Sequence, residues 1–295
     1  MEILFEILPE KLKTVLDKLP LHNVYELRLR ANAPVVACVS GHNMTLAPTV
    51  SRTDLDNIIH KSSNYAIYAV NDQIRRGFIT IRGGIRIGLV GEVVADGDSG
   101  VSTIKNINAL CIRIPHQIKN CAYPLLPYIW GNIRPYKTLI IAPPGAGKTT
   151  VLRDLCVQIA AHFPALNTLI LDERGEIAAN YLGDNQLFVG NLADTITGGT
   201  KRFGFENGIR SMRPDIIITD EIATTDDAEL LKTATRSGVV VMASVHAADL
   251  DEIQRKPAFR EIIDERVFER YVVLATRDHA GTVVGVYDEN LKVMS

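Results

Sequence analysis

Thr138-Leu139-Ile140-Ile141-Ala142-Pro143-Pro144-Gly145-Ala146-Gly147-Lys148-Thr149-Thr150 decides how this 295-residue chain is read. Thr138 to Ile141 is apolar and β-forming, as a short buried strand should be. After Thr150 the run VLRDLCVQIAAHF carries apolar residues at helical spacing. Strand, glycine turn, Gly-Lys-Thr and helix, in that order, is the context of a phosphate-binding P-loop. Gly145 and Gly147 let the backbone turn so that successive N–H groups face an anion. The helix N-terminus adds its partial positive charge at the same point. Pro144, Gly145, Ala146, Gly147, Lys148, Thr149 and Thr150 are therefore the expected phosphate cradle. Lys148 serves the β- and γ-phosphates, and the Thr149 hydroxyl is the expected Mg²⁺ ligand. Ala142 stands where the usual pattern opens with glycine. With Pro143-Pro144 stiffening the loop, alanine costs little there if its φ stays negative. The competing reading is a chance Gly-x-Gly-Lys-Thr at a helix start, and the flanking strand and helix oppose it. The expected ligand is a nucleoside triphosphate.

A second strand carries the complementary chemistry. Arg213-Pro214-Asp215-Ile216-Ile217-Ile218-Thr219-Asp220-Glu221 is a β-branched run ending in adjacent carboxylates. In P-loop proteins that place holds Mg²⁺ through a water and polarises the attacking water. Asp220 takes the metal side and Glu221 the general base; otherwise the pair simply favours a helix start near Thr224-Thr225. A third apolar strand, Thr168 to Leu171, ends in Asp172-Glu173. These carboxylates either orient water or metal, with Glu173 the catalytic candidate, or cap a solvated loop. Val239 to Val245 leads into His246, placed to sense the γ-phosphate or to satisfy a local hydrogen bond. Developing negative charge calls for an arginine, in cis or from a neighbouring subunit, and Arg210 and Arg213 flank Met212 just ahead of the acidic strand. Arg202, Arg86 and Arg113 are further candidates, each of which is otherwise a solvated charge.

Composition narrows the partners. Hydrophobic residues make up 46% and charged residues 22%, ordinary for a globular protein. Lys plus Arg number 32 against 34 acidic residues, so a net charge of −2 offers no basic field and no nucleic acid is expected. Cys38, Cys111, Cys121 and Cys156 lack Cys-x-x-Cys spacing and read as reduced thiols. No uncharged run approaches the ~18 residues of a spanning helix, so no direct membrane insertion is expected.

Residues 1–115 form an α+β domain of their own. Short amphipathic helices break at Pro9 and Pro20, Val24 to Arg30 alternates as a strand, and a hairpin turns at Ser40 to Asn43. Ser51 or Thr53 caps a helix expected to run to Gly77. Gly83-Gly84-Ile85-Arg86-Ile87-Gly88 only superficially resembles a dinucleotide motif; without a following helix it reads as a hairpin and close strand approach. Ala109 to Ile114 is strand-like. Residues 116–130 are the linker with its leading helix. From 131 to 295 strands and helices alternate as in a mostly parallel α/β sheet covered on both faces, closing with a hairpin that turns at Asp278 to Gly281.

APPGAGKTT, ILDERGEI, MRPDIIITDEI and ASVHA, in this order, resemble the P-loop, acidic box, Walker B strand and His box of the type II/type IV secretion ATPases. More narrowly, ELRLRANAPV, RGGIRIGLVGEVV, INALCIRIPHQIK, PPGAGKTTVLRDL and FERYVVLATR resemble the stage III sporulation AA family over nearly the whole chain. The resemblance implies a RecA-like P-loop ATPase domain behind a smaller α+β domain, using ATP and Mg²⁺ and working as a self-assembled ring, a hexamer. It also implies a cytoplasmic protein on the mother-cell side, peripherally attached to membrane-embedded sporulation channel proteins. Asp220 departs from the transport ATPases, which commonly carry glycine there. Two other readings share the core: a nucleic-acid-stimulated motor, and a nucleotide-gated scaffold with little hydrolysis.

Overall fold

The computed structural model describes residues 2–97, 100–275 and 281–294. The chain divides into two compact units, Met1–His116 with Ala179–Leu187, and Gln117–Ala178 with Phe188–Ser295.

The first unit begins with helices α1 (Glu2–Ile7) and α2 (Glu10–Leu16), separated at Pro9, and continues through strands β1 (Val24–Arg30), β2 (Ala33–Val39) and β3 (His42–Val50). Helices α3 (Arg52–Ser62) and α4 (Asn71–Arg75) precede β4 (Phe78–Thr80), β5 (Arg86–Asp96) and β6 (Gly100–Arg113). The six strands order as β3-β2-β1-β6-β5-β4, with antiparallel pairings throughout. Period-two alternation puts every second side chain on one face. Ala37, Leu27, Ile112, Ile87 and Ile79 consequently form one row across five strands, all fully buried. Leu4, Leu12, Leu55 and Ile58 cover that face from the helices, and Leu8 from the bend between α1 and α2. Each such aliphatic side chain contributes about 1.5–3 kcal/mol by leaving water.

The Ser51 cap forms as a full capping box with Asp54. The helix it starts is shorter than the periodicity predicts. Asn64 and Tyr65 take φ of 51° and 61°, ending the helical run before α4 begins. The Gly83-Gly84 turn does connect two antiparallel strands, β4 and β5. A Cβ on Gly84 would stand 2.5 Å from Ala179 Cβ, the close approach that only glycine permits. Ala179–Leu187 joins this unit from a point far along the chain, outside the 1–115 span that the sequence predicts for it.

The second unit starts with α5 (Leu126–Ile129) and then alternates β7 (Thr138–Ala142), α6 (Lys148–His162), β8 (Thr168–Asp172), β9 (Ala193–Thr197), α7 (Lys201–Met212) and β10 (Ile216–Thr219). There follow α8 (Thr225–Arg236), β11 (Val240–His246), α9 (Leu250–Arg255), α10 (Pro257–Asp264), β12 (Arg270–Ala275) and β13 (Thr282–Asp288). The strand order is β13-β12-β7-β11-β10-β8-β9, parallel except for the antiparallel β12–β13 pair. Both faces are covered. Leu139 and Ile141 enter a core shared with α8 and α10, and Ile140 and Ala142 enter another shared with α6. A strand buried on both faces needs the continuous apolar run that β7 and β10 show in sequence. The sequence pattern predicts neither β9 nor α7. Of the expected closing turn, Asp278 to Ala280 lie outside the described residues.

Candidate functional site

The strand order carries the site. β11 lies between β7 and β10, and its last residue, His246, is in register with Ala142 at the end of β7. The carboxyl ends of these strands therefore bring the Gly-Lys-Thr loop, His246 and the Asp220-Glu221 pair together, where parallel α/β sheets hold their ligands.

The loop leaves β7 at Ala142 and turns through Gly145 (φ 76°) and Gly147 (φ 87°). Left-handed φ at Gly147 opens α6, and no side chain caps that helix. Its first amides are thus left for an anion. A Cβ at Gly145 would meet no atom within 4 Å, so the loop keeps open space beside it. Lys148 is only 5% exposed, and its Nζ lies 3.0 Å from the carbonyl oxygens of both Ala142 and Pro143. The ammonium also reaches His246 Nδ1 at 2.9 Å. Burial pushes its pKa below the ordinary lysine value, with Asp220 and Glu221 acting in the opposite direction.

Lys148 can only donate, so His246 Nδ1 accepts and the ring hydrogen sits on Nε2. That nitrogen donates to Glu221 Oε1. Glu221 has a left-handed φ of 53°, uncommon for a residue with a Cβ and of a kind concentrated at working sites. Its amide donates to Asp220 Oδ1 at 2.9 Å and to Ser244 Oγ at 3.1 Å. Asp220 in turn accepts from Ser244 Oγ, and its other oxygen lies 2.5 Å from Thr149 Oγ1. Thr149 and Asp220 form a pair of hard oxygens of the kind Mg²⁺ prefers.

Behind these groups the fold is pinned by buried charge. Asp172 is 2% exposed and accepts from the amides of Glu176, Ile177 and Ala178 at 2.8, 3.1 and 2.9 Å. Burial raises its pKa, while the three amides act to lower it. Arg153 of α6 donates to the carbonyls of Ile177 and Glu176, and Asp154 accepts from the amides of Asn120 and Ala122. Asp172 thus takes the loop-capping reading. Glu173 turns outward and pairs with Lys201 at 2.7 Å, on the wall of a cleft of about 420 Å³. Arg174, Arg202, Glu221 and Asp226 also line that cleft.

Of the sequence candidates, the structure gathers the loop, Lys148, Thr149, Asp220, Glu221 and His246. It does not gather Arg210 or Arg213. Both are exposed and stand ahead of the amino end of β10, at the opposite edge from the site. Two contacts were missed in the sequence. Ser244 faces Asp220 from a strand interior, where only its hydroxyl marks it out, and Arg174 pairs with Glu221 at 2.5 Å.

A family model, sporulation stage III protein AA, matches residues 1–294. The chain belongs to that family. It is 36% identical over 296 residues to the stage III sporulation protein AA of Bacillus subtilis (strain 168), spanning 98% of this chain and 96% of that protein. Among solved structures, the ATPase DotB of Yersinia pseudotuberculosis superposes with a TM-score of 0.59 at 14% identity, over 90% of this chain and 76% of that one. The pilus retraction motor PilT, solved with bound ADP, gives 0.58 at 12% identity with the same coverage. At these identities the likeness is one of fold, a RecA-like α/β domain with a smaller N-terminal domain. Among the described residues, no helix is long and apolar enough to cross a membrane.

Proposed function

We propose that this chain is a Mg²⁺-dependent ATPase motor that energises a membrane-embedded, secretion-like channel during endospore formation. The observation that carries the reading is the convergence of Lys148 and Thr149 with Asp220 and Glu221 across three adjacent strands. The uncapped amides of α6, Gly145 with its open surroundings and the Thr149–Asp220 oxygen pair suit a triphosphate and a hard cation. Thr149 and Asp220 would hold Mg²⁺, which when bound neutralises phosphate charge.

The residues divide the work by chemistry. Lys148 exchanges the carbonyls of Ala142 and Pro143 for phosphate oxygens, which compensate its charge better than neutral dipoles do. Glu221 accepts the proton of the attacking water, with His246 Nε2–H fixing one of its oxygens. His246 touches both the lysine and the base, so a change at the phosphate end reaches Glu221 through one ring. The family and the secretion-ATPase fold support a working form that is a ring, docked from the mother-cell cytoplasm onto membrane-embedded sporulation proteins.

Sizing the purified protein with and without ATP·Mg²⁺, while measuring phosphate release, tests this reading. A nucleotide-dependent ring with turnover is the expected result. A permanently monomeric, inert protein would point instead to a scaffold.

A further inference from the structure

Arg174 belongs to the loop that leaves β8, and that loop is fixed from beneath. Asp172 accepts from the amides of Glu176, Ile177 and Ala178, and the Arg153 guanidinium holds the carbonyls of Glu176 and Ile177. Arg174 therefore has an anchored backbone and a side chain that is 60% exposed. Its Nη1 lies 2.5 Å from Glu221 Oε2, while His246 Nε2 donates to Oε1. The two oxygens of one carboxylate are thus held by different donors, one from the loop after β8 and one from the end of β11. A carboxylate held at one oxygen still rotates about its terminal torsion, which is broad and shallow. Held at both, its plane is set.

Resting on the ATPase reading, we propose that Arg174 is a positioning residue for Glu221, fixing the carboxylate plane in which the base meets the attacking water. The guanidinium suits this role because its charge is permanent and its donors are planar. It acts through Glu221. The phosphate loop already has Lys148, so removing Arg174 leaves nucleotide affinity intact and slows the chemical step. Misplacing a reacting group by about 1 Å can cost roughly 100-fold in rate, which bounds the effect.

The test compares wild type, Arg174→Ala and Arg174→Lys in single-turnover phosphate release with ATP·Mg²⁺, alongside binding of a fluorescent ATP analogue and thermal melting. The expected result for Arg174→Ala is a rate lowered about 10- to 100-fold with unchanged analogue affinity and melting. Arg174→Lys should recover part of the rate, and millimolar guanidinium should raise the rate of Arg174→Ala but not of wild type. An Arg174→Ala rate equal to wild type overturns the proposal. So does a loss that tracks weakened analogue binding, which would make Arg174 a nucleotide contact. A wild-type protein that binds the analogue yet releases no phosphate refutes the ATPase reading itself, and that outcome is distinct from either of these.

Discussion

Thr149 Oγ1 stands 2.5 Å from Asp220 Oδ2, so the first turn of α6 and the end of β10 meet through a hydroxyl and a carboxylate. These residues lie far apart in sequence, and only the parallel order of β7, β11 and β10 makes them neighbours. Thr149→Ala and Asp220→Asn should each weaken Mg²⁺-dependent nucleotide binding roughly 10- to 100-fold. Magnesium titration of fluorescent-nucleotide affinity measures this. Equal magnesium dependence in the variants and wild type would remove the pair from the metal site.

His246 bridges Lys148 and Glu221 with its two ring nitrogens. His246→Ala should retain nucleotide binding while turnover falls about tenfold or more, since the base loses the donor that fixes Oε1. Steady-state kinetics with a parallel binding assay separates the two quantities. A selective loss of affinity would move His246 from the base to the phosphate.

Gly204 and Gly208 sit one turn apart on α7, where the helix lies close over β8. A Cβ at Gly208 would collide with Leu169 Cδ2, and one at Gly204 would lie 3.0 Å from Leu171 Cδ2. Gly208→Val should therefore destabilise the fold by about 1–3 kcal/mol through overpacking. Thermal melting would show this as a drop of roughly 2–4 °C per kcal/mol. A melting point at or above the wild-type value would mean that α7 stands off the sheet.

Arg134 grips Glu269 with two nitrogens, at 2.9 and 3.1 Å, and the Lys137 amide adds a third donor at 2.9 Å. Burial alone would raise the Glu269 pKa; the donors outweigh it and hold the carboxyl below its ordinary 4.5. A carboxyl with a lowered folded-state pKa contributes stability above its unfolded value, and that stability is lost as pH falls through the folded value. Denaturant melts of wild type against Glu269→Gln should thus differ most at neutral pH, by about 2 kcal/mol, and converge as pH falls through the lowered folded-state value. A gap independent of pH would assign the contribution to packing.

The chemical centre was legible in the sequence because its pieces are local. Strand, glycine turn and helix lie within Thr138 to His162, and the Asp220-Glu221 pair follows its own buried strand directly. Other features depend on distant partners. Asp172 and Glu173 are adjacent acids with the same motif value, yet one is buried under three amides and the other pairs with Lys201 at the rim. Arg174 is ordinary in sequence and acquires its role only where β8 and β10 run side by side. β9 has a partly exposed, threonine-rich pattern, ADTIT, so it lacked the continuous apolar signal of its neighbours. Arg210 and Arg213 show that nearness in sequence is not nearness to the carboxylates of the same chain. Proximity to the acidic strand in sequence placed them at its amino end, a strand length from the carboxylates.

Phosphate release from the Lys148→Ala and Glu221→Gln variants, measured with nucleotide binding in the same samples, tests the central claim most directly. The account predicts that Lys148→Ala fails to bind ATP·Mg²⁺ and that Glu221→Gln binds it without turning it over. Wild-type turnover in Glu221→Gln would contradict the account.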